Sequence, residues 1–206
     1  MADVTIYGFA LSTYVRTCRM TCIEKGVSYD LEEMAPHSPE ILALNPIGTV
    51  PAFRHGDLLL HETSAITRYV DETFDGPRLQ PQDVVTRARM NQVISMIQDS
   101  FYRVMIREIV LPRFGITEAS DEALQASAEL LNKQFGILDA GLQNATYFAG
   151  DALTLADLYL PPILFWLEKT PEGQSALPNY GALGRWYQMI SARESFQTTI
   201  PPMPAG

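Results

Sequence analysis

A chain of 206 residues has room for two modest domains or one large one. Its formal charge of −9 is spread evenly, with 6 basic against 11 acidic residues up to Arg78 and 9 against 13 beyond it. Neither half is basic, so no nucleic acid and no membrane is expected as a partner.

The first residues pass directly into strand-like sequence, without the charged and apolar regions of a secretory leader, and no apolar run approaches a membrane span. The expected setting is cytoplasmic. Val4-Thr-Ile-Tyr-Gly-Phe is β-branched and aromatic and predicts a strand over 4–9. A helix is expected over 13–25, with Val15, Cys18, Cys22 and Ile23 as its apolar stripe and Gly26 as its stop. The only two cysteines, Cys18 and Cys22, stand one helical turn apart and are read as small core residues in a reducing environment. A second strand over 27–32 completes a short parallel βαβ unit. Pro36, Ser38 and Pro39 break the pattern before a short helix over 40–44.

Residues 45–66, NPIGTVPAFRHGDLLLHETSAI, then give a loop, two short strands around the turn His55-Gly56-Asp57, and a helix start. Thr63-Ser64 supplies hydroxyls where that helix begins, the pattern of an N-cap. The order βαβ-α-ββα predicts a four-stranded mixed sheet covered by helices, a thioredoxin-like α/β domain over 1–78. Asp75-Gly-Pro-Arg-Leu-Gln-Pro-Gln-Asp reads as a linker over 75–83. Beyond it the period is helical: Met90, Val93, Ile97, Phe101 and Val104, then Leu124, Ala128, Leu131, Phe135, Leu138 and Leu142. An all-α helical bundle is therefore expected over 84–206. Within it Thr154 and Asp157 have capping-box spacing, and Pro161-Pro162 should interrupt the apolar run 158–167. The tail 200–206 is too proline-rich for a helix and is expected to be extended.

Four motifs in order resemble those of the cytosolic glutathione transferases: Ser12 followed by Arg16 and Arg19, Asn45-Pro-x-Gly-x-Val-Pro, Glu62-Thr-x-Ala-Ile, and Gly150-Asp-x-x-Thr-x-Ala-Asp. The resemblance covers nearly the whole chain, and the Ser12–Arg16 spacing is that of the serine-type (theta-like, bacterial) members. It implies a homodimeric detoxification enzyme with glutathione as co-substrate. The thiolate would be added to, or substituted on, a small apolar electrophile. The same cradle would serve disulfide or peroxide reduction or isomerisation, and a non-catalytic binding module is the third reading.

Carried onto this chain, the resemblance makes Val50-Pro51 a cis peptide whose Val50 backbone pairs with the cysteinyl part of glutathione, as a strand pairs with a sheet edge. Thr63 would donate to the γ-glutamyl carboxylate at a helix N-terminus, and Glu62 would accept from the α-amino group. His37 stands near the position of a family histidine that contacts the glycyl carboxylate, without the lysine that often follows it.

The chemistry falls to Ser12. A free thiol with a pKa of about 8.5 is only about 3% ionised at pH 7. A hydroxyl donor and a helix N-terminus contributing roughly 2 kcal/mol together lower that pKa by about 1.5 units, bringing about half the thiol into play. From the residues alone, without the resemblance, Ser12 reads as an N-cap. Thr13, where many relatives have proline, and Tyr7 near the end of the first strand are rival donors. Phe9, Tyr14, Phe101, Tyr102, Met105 and Phe165 are the candidates for the electrophile site. Arg103 and Arg107 are expected on a solvated face or a dimer contact. The three histidines are scattered and imply no metal.

Overall fold

The computed structural model describes residues 3–202, so the part of the expected extended tail from Met203 onward lies outside the described residues. The chain divides into two compact units: residues up to Gln80 together with those from Ala192 on, and 81–191.

The first unit is built on a four-stranded sheet in the order β2-β1-β3-β4. Strand β1 (Val4–Gly8) pairs parallel with β2 (Asp30–Glu33) and antiparallel with β3 (Ala52–His55), which pairs antiparallel with β4 (Leu58–His61). Three helices accompany it: α1 (Thr13–Glu24), α2 (Pro39–Leu44) and α3 (Thr63–Thr73). The period-2 alternation of β1 sends its side chains to opposite faces. Val4 and Ile6 join Phe53, Val15, Cys18, Cys22, Ile66 and Val70 in one core. Tyr7 joins Ala52 and Ile41 on the other face.

Two local expectations are corrected. The second strand was expected over 27–32, but the ladder begins at Asp30, opposite Thr5. Leaving α1 uses up the preceding residues: Gly26 takes φ +70° and the Val27 N–H bonds back to the Cys22 carbonyl. Thr63-Ser64 is also not a cap. Both residues lie inside α3, the cap position belongs to Glu62, and Glu62 makes no side-chain cap bond.

The second unit is helical. Its first helix, α4 (Val84–Ser95), is capped by Asp83, which accepts from the Thr86 N–H at 2.7 Å. It runs on through two π-wound stretches, Met96–Phe101 and Arg103–Val110, in which N–H groups bond five residues back, as Leu111 does to Ile106. A purely three-and-four step was expected there. The long α5 (Asp121–Leu142) buries Leu124, Leu131, Phe135, Leu138 and Leu142, as its periodicity predicts.

Asp157 is the second residue of α6 (Ala156–Tyr159), whose cap position is Leu155 rather than the expected Thr154, and it is fully buried. Its carboxylate accepts from the N–H groups of Phe148 and Thr154, the Thr154 hydroxyl and Trp186 Nε1, at 2.9–3.0 Å. Burial raises its pKa, and these four donors work against that rise. The expected interruption is a break at Leu160, after which α7 (Pro161–Leu167) begins on the two prolines. Helices α8 (Pro171–Ala176) and α9 (Gly181–Ser191) follow. The last helix, α10 (Glu194–Gln197), belongs to the first unit and packs on α1. Among the described residues, no helix is long and apolar enough to cross a membrane.

Candidate functional site

The end of β1, the start of α1 and the loop before β3 meet at Gly8. A methyl group there would lie 2.5 Å from Val15 Cγ2 and 3.1 Å from Val50 Cβ, so only glycine lets the two segments approach this closely. Ser12 is the N-cap of α1, where its Oγ accepts from the Val15 N–H at 3.4 Å. That bond leaves the hydroxyl proton available to a ligand.

The other two candidate hydroxyls are placed differently. Thr13 is buried, its Oγ1 is closed to solvent, and it has no hydrogen-bond partner among the described residues. Tyr7 points to the sheet face that carries Ile41, away from α1, and its hydroxyl accepts from Arg54 Nε at 3.1 Å. Ser12, by contrast, is only partly buried.

Asn45 shapes the loop that delivers Val50. It is fully buried, donates from Nδ2 to the Thr49 carbonyl at 2.8 Å, and accepts the Ile47 N–H on Oδ1 at 3.0 Å. From sequence it reads only as a loop marker, and its polarity at zero exposure is what the sequence does not display. The loop ends in a cis peptide between Val50 and Pro51. Among the described residues neither the N–H nor the C=O of Val50, which lies in a bend just before β3, has a backbone partner, so both are available to an incoming chain.

His37 sits over the same loop. Its N–H bonds to the Gly48 carbonyl at 2.7 Å, and its ring lies so close to Gly48 that an added methyl would come within 2.5 Å of Nδ1. His37 itself is exposed and has φ +61°, a left-handed conformation that side chains disfavour.

Among the described residues Glu62 is the other non-glycine residue with a left-handed backbone, at φ +70°. The turn carries the chain from β4 straight into α3 and leaves the helix without a side-chain cap. The first-turn N–H groups of Thr63 and Ser64 have no intrahelical acceptor, which gives the site anion-binding character. The Glu62 side chain is exposed, whereas Thr63 is 4% exposed.

The candidates for a second ligand fall in both units. Phe9 and Tyr14 are half-buried in the first. In the second, Phe101, Met105 and Phe165 are buried, and Tyr102 is half-buried beneath the Arg107 guanidinium. Phe165 packs edge-on against Trp166, with Lys169 Nζ over its ring at 3.8 Å. Arg103 and Arg107 are exposed, and Arg103 pairs with Glu108.

Both thiols are buried and free. Burial drives the Cys18 pKa well up, with the neighbouring Cys22 adding to the rise, and pushes Cys22 to about 12. Neither is a nucleophile at neutral pH. Among the described residues no three His, Cys, Asp or Glu side chains are placed to share a metal ion.

The chain is similar in sequence and fold to known proteins. Residues 6–78 match the family model of the glutathione S-transferase N-terminal domain, and 96–194 that of the C-terminal domain. Glutathione S-transferase 3 of Zea mays is 32% identical over 99% of this chain and 96% of its own length. A stringent starvation protein A homolog of Coxiella burnetii is 30% identical over 96% and 91%. Among solved structures, the theta-class glutathione S-transferase of Xanthomonas axonopodis pv. citri with glutathione bound is 25% identical, covers all of both chains and superposes with a TM-score of 0.89. Matches to both domain models, together with relatives above 30% identity along nearly the full length, mean that this chain belongs to the cytosolic glutathione S-transferase family.

Proposed function

We propose that this protein is a serine-type glutathione transferase that ionises the thiol of glutathione with the Ser12 hydroxyl and transfers it to a small apolar electrophile. The carrying observation is the contrast among three hydroxyls. Only Ser12 combines solvent access with a position at the mouth of α1, since Thr13 Oγ1 is closed off and Tyr7 faces the other side of the sheet.

Glutathione is held as an extended peptide. Its cysteinyl backbone pairs with Val50 beside Pro51, and its γ-glutamyl carboxylate takes the N–H groups and hydroxyl at the start of α3, with Thr63 as donor. Glu62 accepts from the α-amino group, and His37 is the candidate for the glycyl end. The glutathione-bound neighbour supports this cradle. Bound there, the thiol gains from the Ser12 donor and from the α1 N-terminus, roughly 2 kcal/mol together. The candidates for contact with the electrophile are Phe9 and Tyr14 in the first unit and Phe101, Tyr102, Met105 and Phe165 in the second. We assign the protein as a cytoplasmic homodimer acting in detoxification.

Turnover tests the reaction class. Glutathione is supplied with a panel of apolar electrophiles and, separately, with mixed disulfides and peroxides. Conjugation should dominate and fall about tenfold at pH 7 in Ser12→Ala, in line with the lost thiolate fraction. Turnover only of disulfides or peroxides would replace the transferase reading with a reductase on the same cradle.

A further inference from the structure

Arg16 lies four residues beyond Ser12, and its N–H closes the first turn of α1 on the Ser12 carbonyl at 3.0 Å. Its side chain is 1% exposed, an unusual place for a guanidinium. Nε donates to Thr199 Oγ1 at 3.1 Å and Nη2 to the Phe196 carbonyl at 2.9 Å. The guanidinium carbon stands 4.1 Å from the centre of the Phe196 ring. At the other end of α1, Glu24 takes Arg193 Nε at 2.7 Å, Arg193 Nη2 at 2.6 Å and Ser195 Oγ at 2.5 Å.

Residues 193–199 therefore run antiparallel to α1 and grip it near both ends, at points about 12 Å apart at 1.5 Å per residue. Thr199 is itself fixed, since its hydroxyl lies 2.7 Å from the Ser195 carbonyl. Burying a guanidinium carries a desolvation penalty, offset here by the two hydrogen bonds and the Phe196 ring. What the grip secures is the position of the α1 first turn. A hydroxyl–thiolate hydrogen bond weakens steeply with misalignment, and reacting groups must be held to within about 0.5 Å.

We propose that residues 193–199 act as a splint for the active site: by holding Arg16 they set the α1 first turn, and with it the Ser12 hydroxyl, against the thiol of bound glutathione. Arg16, Phe196 and Thr199 are positioning residues and touch no ligand. The inference rests on Ser12 as the thiolate donor. A purely structural strap would change unfolding temperature only, whereas a splint changes the acidity of the bound thiol well below that temperature.

The test follows the ultraviolet absorbance of the thiolate against pH in glutathione complexes of the wild type, Ser12→Ala, Thr199→Val and Arg16→Lys. Thr199→Val nearly keeps the volume and removes the acceptor of Arg16 Nε; Arg16→Lys keeps the charge and loses the planar fork. The thiol pKa should rise by about half a unit in Thr199→Val, a roughly threefold loss of thiolate at low pH, and by about one unit in Arg16→Lys. Glutathione affinity should stay within about threefold of wild type, because the cradle at Val50 and Thr63 is untouched. If Ser12→Ala raises the thiol pKa while Thr199→Val keeps the wild-type value, the splint is overturned and the serine reading stands. If Ser12→Ala also keeps the wild-type value, the serine reading falls and takes the splint with it. Should Arg16→Lys fail to fold, Thr199→Val alone decides.

Discussion

Lys25 Nζ stands 3.2 Å from Asp71 Oδ1 in a pair whose side chains are each 3% exposed. The ammonium also donates to the Asp71 carbonyl at 3.0 Å. The carboxylate takes the N–H groups of Leu79 at 2.8 Å and Gln80 at 3.0 Å. One buried charge pair thus ties the C-terminal ends of α1 and α3 to the segment that leaves the first unit. Removing one partner strands the other, so Asp71→Ala should cost about 3–5 kcal/mol in denaturant unfolding. Lys25→Met combined with Asp71→Ala should cost less than the sum of the two single changes, because no lone charge remains. Additive losses would show that the pair is not coupled.

Glu24 gives the first unit an acid-sensitive clasp. Burial alone would raise its pKa, but the hydrogen bonds from Arg193 and Ser195 and the Arg193 charge outweigh burial and hold it below its ordinary value. A carboxylate depressed on folding contributes stability that is fully present above its unfolded pKa of about 4.3 and is lost as pH falls through the lower folded value. Thermal unfolding followed from neutral pH downward should show a steeper acid loss in the wild type than in Glu24→Gln. Parallel curves would remove Glu24 as a source of the acid sensitivity.

Glu62 separates stability from binding. Its left-handed backbone costs a side-chain residue about 1–2 kcal/mol, which glycine avoids at the expense of chain entropy. Glu62→Gly should therefore fold as stably as the wild type, or up to about 1 kcal/mol more so. If the Glu62 carboxylate accepts from the α-amino group as proposed, the variant's glutathione affinity should fall about tenfold. Calorimetric titration beside denaturant unfolding reads both. Unchanged affinity would free Glu62 from the cradle, leaving its backbone turn as its only role.

The sequence carried the fold where periodicity carries it. The alternation of β1, the stripe of α5 and the break before Pro161 each answer to a local rule, and each has its counterpart in the structure. The Thr154–Asp157 spacing is realised by half: the Thr154 N–H donates to the Asp157 carboxylate, but the cap position is Leu155. Winding from Met96 to Val110 was not legible, because apolar residues three and four apart do not distinguish α from π turns. Nor was the open start of α3. Thr63-Ser64 has the composition of a cap, and only the φ of Glu62 reveals that the helix begins one residue earlier. The Arg16 grip was invisible for a different reason. It joins residues 183 positions apart, and nothing local to the Ser12-x-x-x-Arg16 motif names Thr199.

The central claim is that this cradle presents glutathione with its thiol ionised by Ser12. Ultraviolet absorbance of the bound thiolate, titrated against pH in wild type and Ser12→Ala, tests it most directly. The account predicts a midpoint near pH 7 in the wild type and a higher one in the variant, short of the free-thiol value of about 8.5 by what the α1 N-terminus still contributes. Coincident midpoints, or a wild-type midpoint at the free-thiol value, would contradict it.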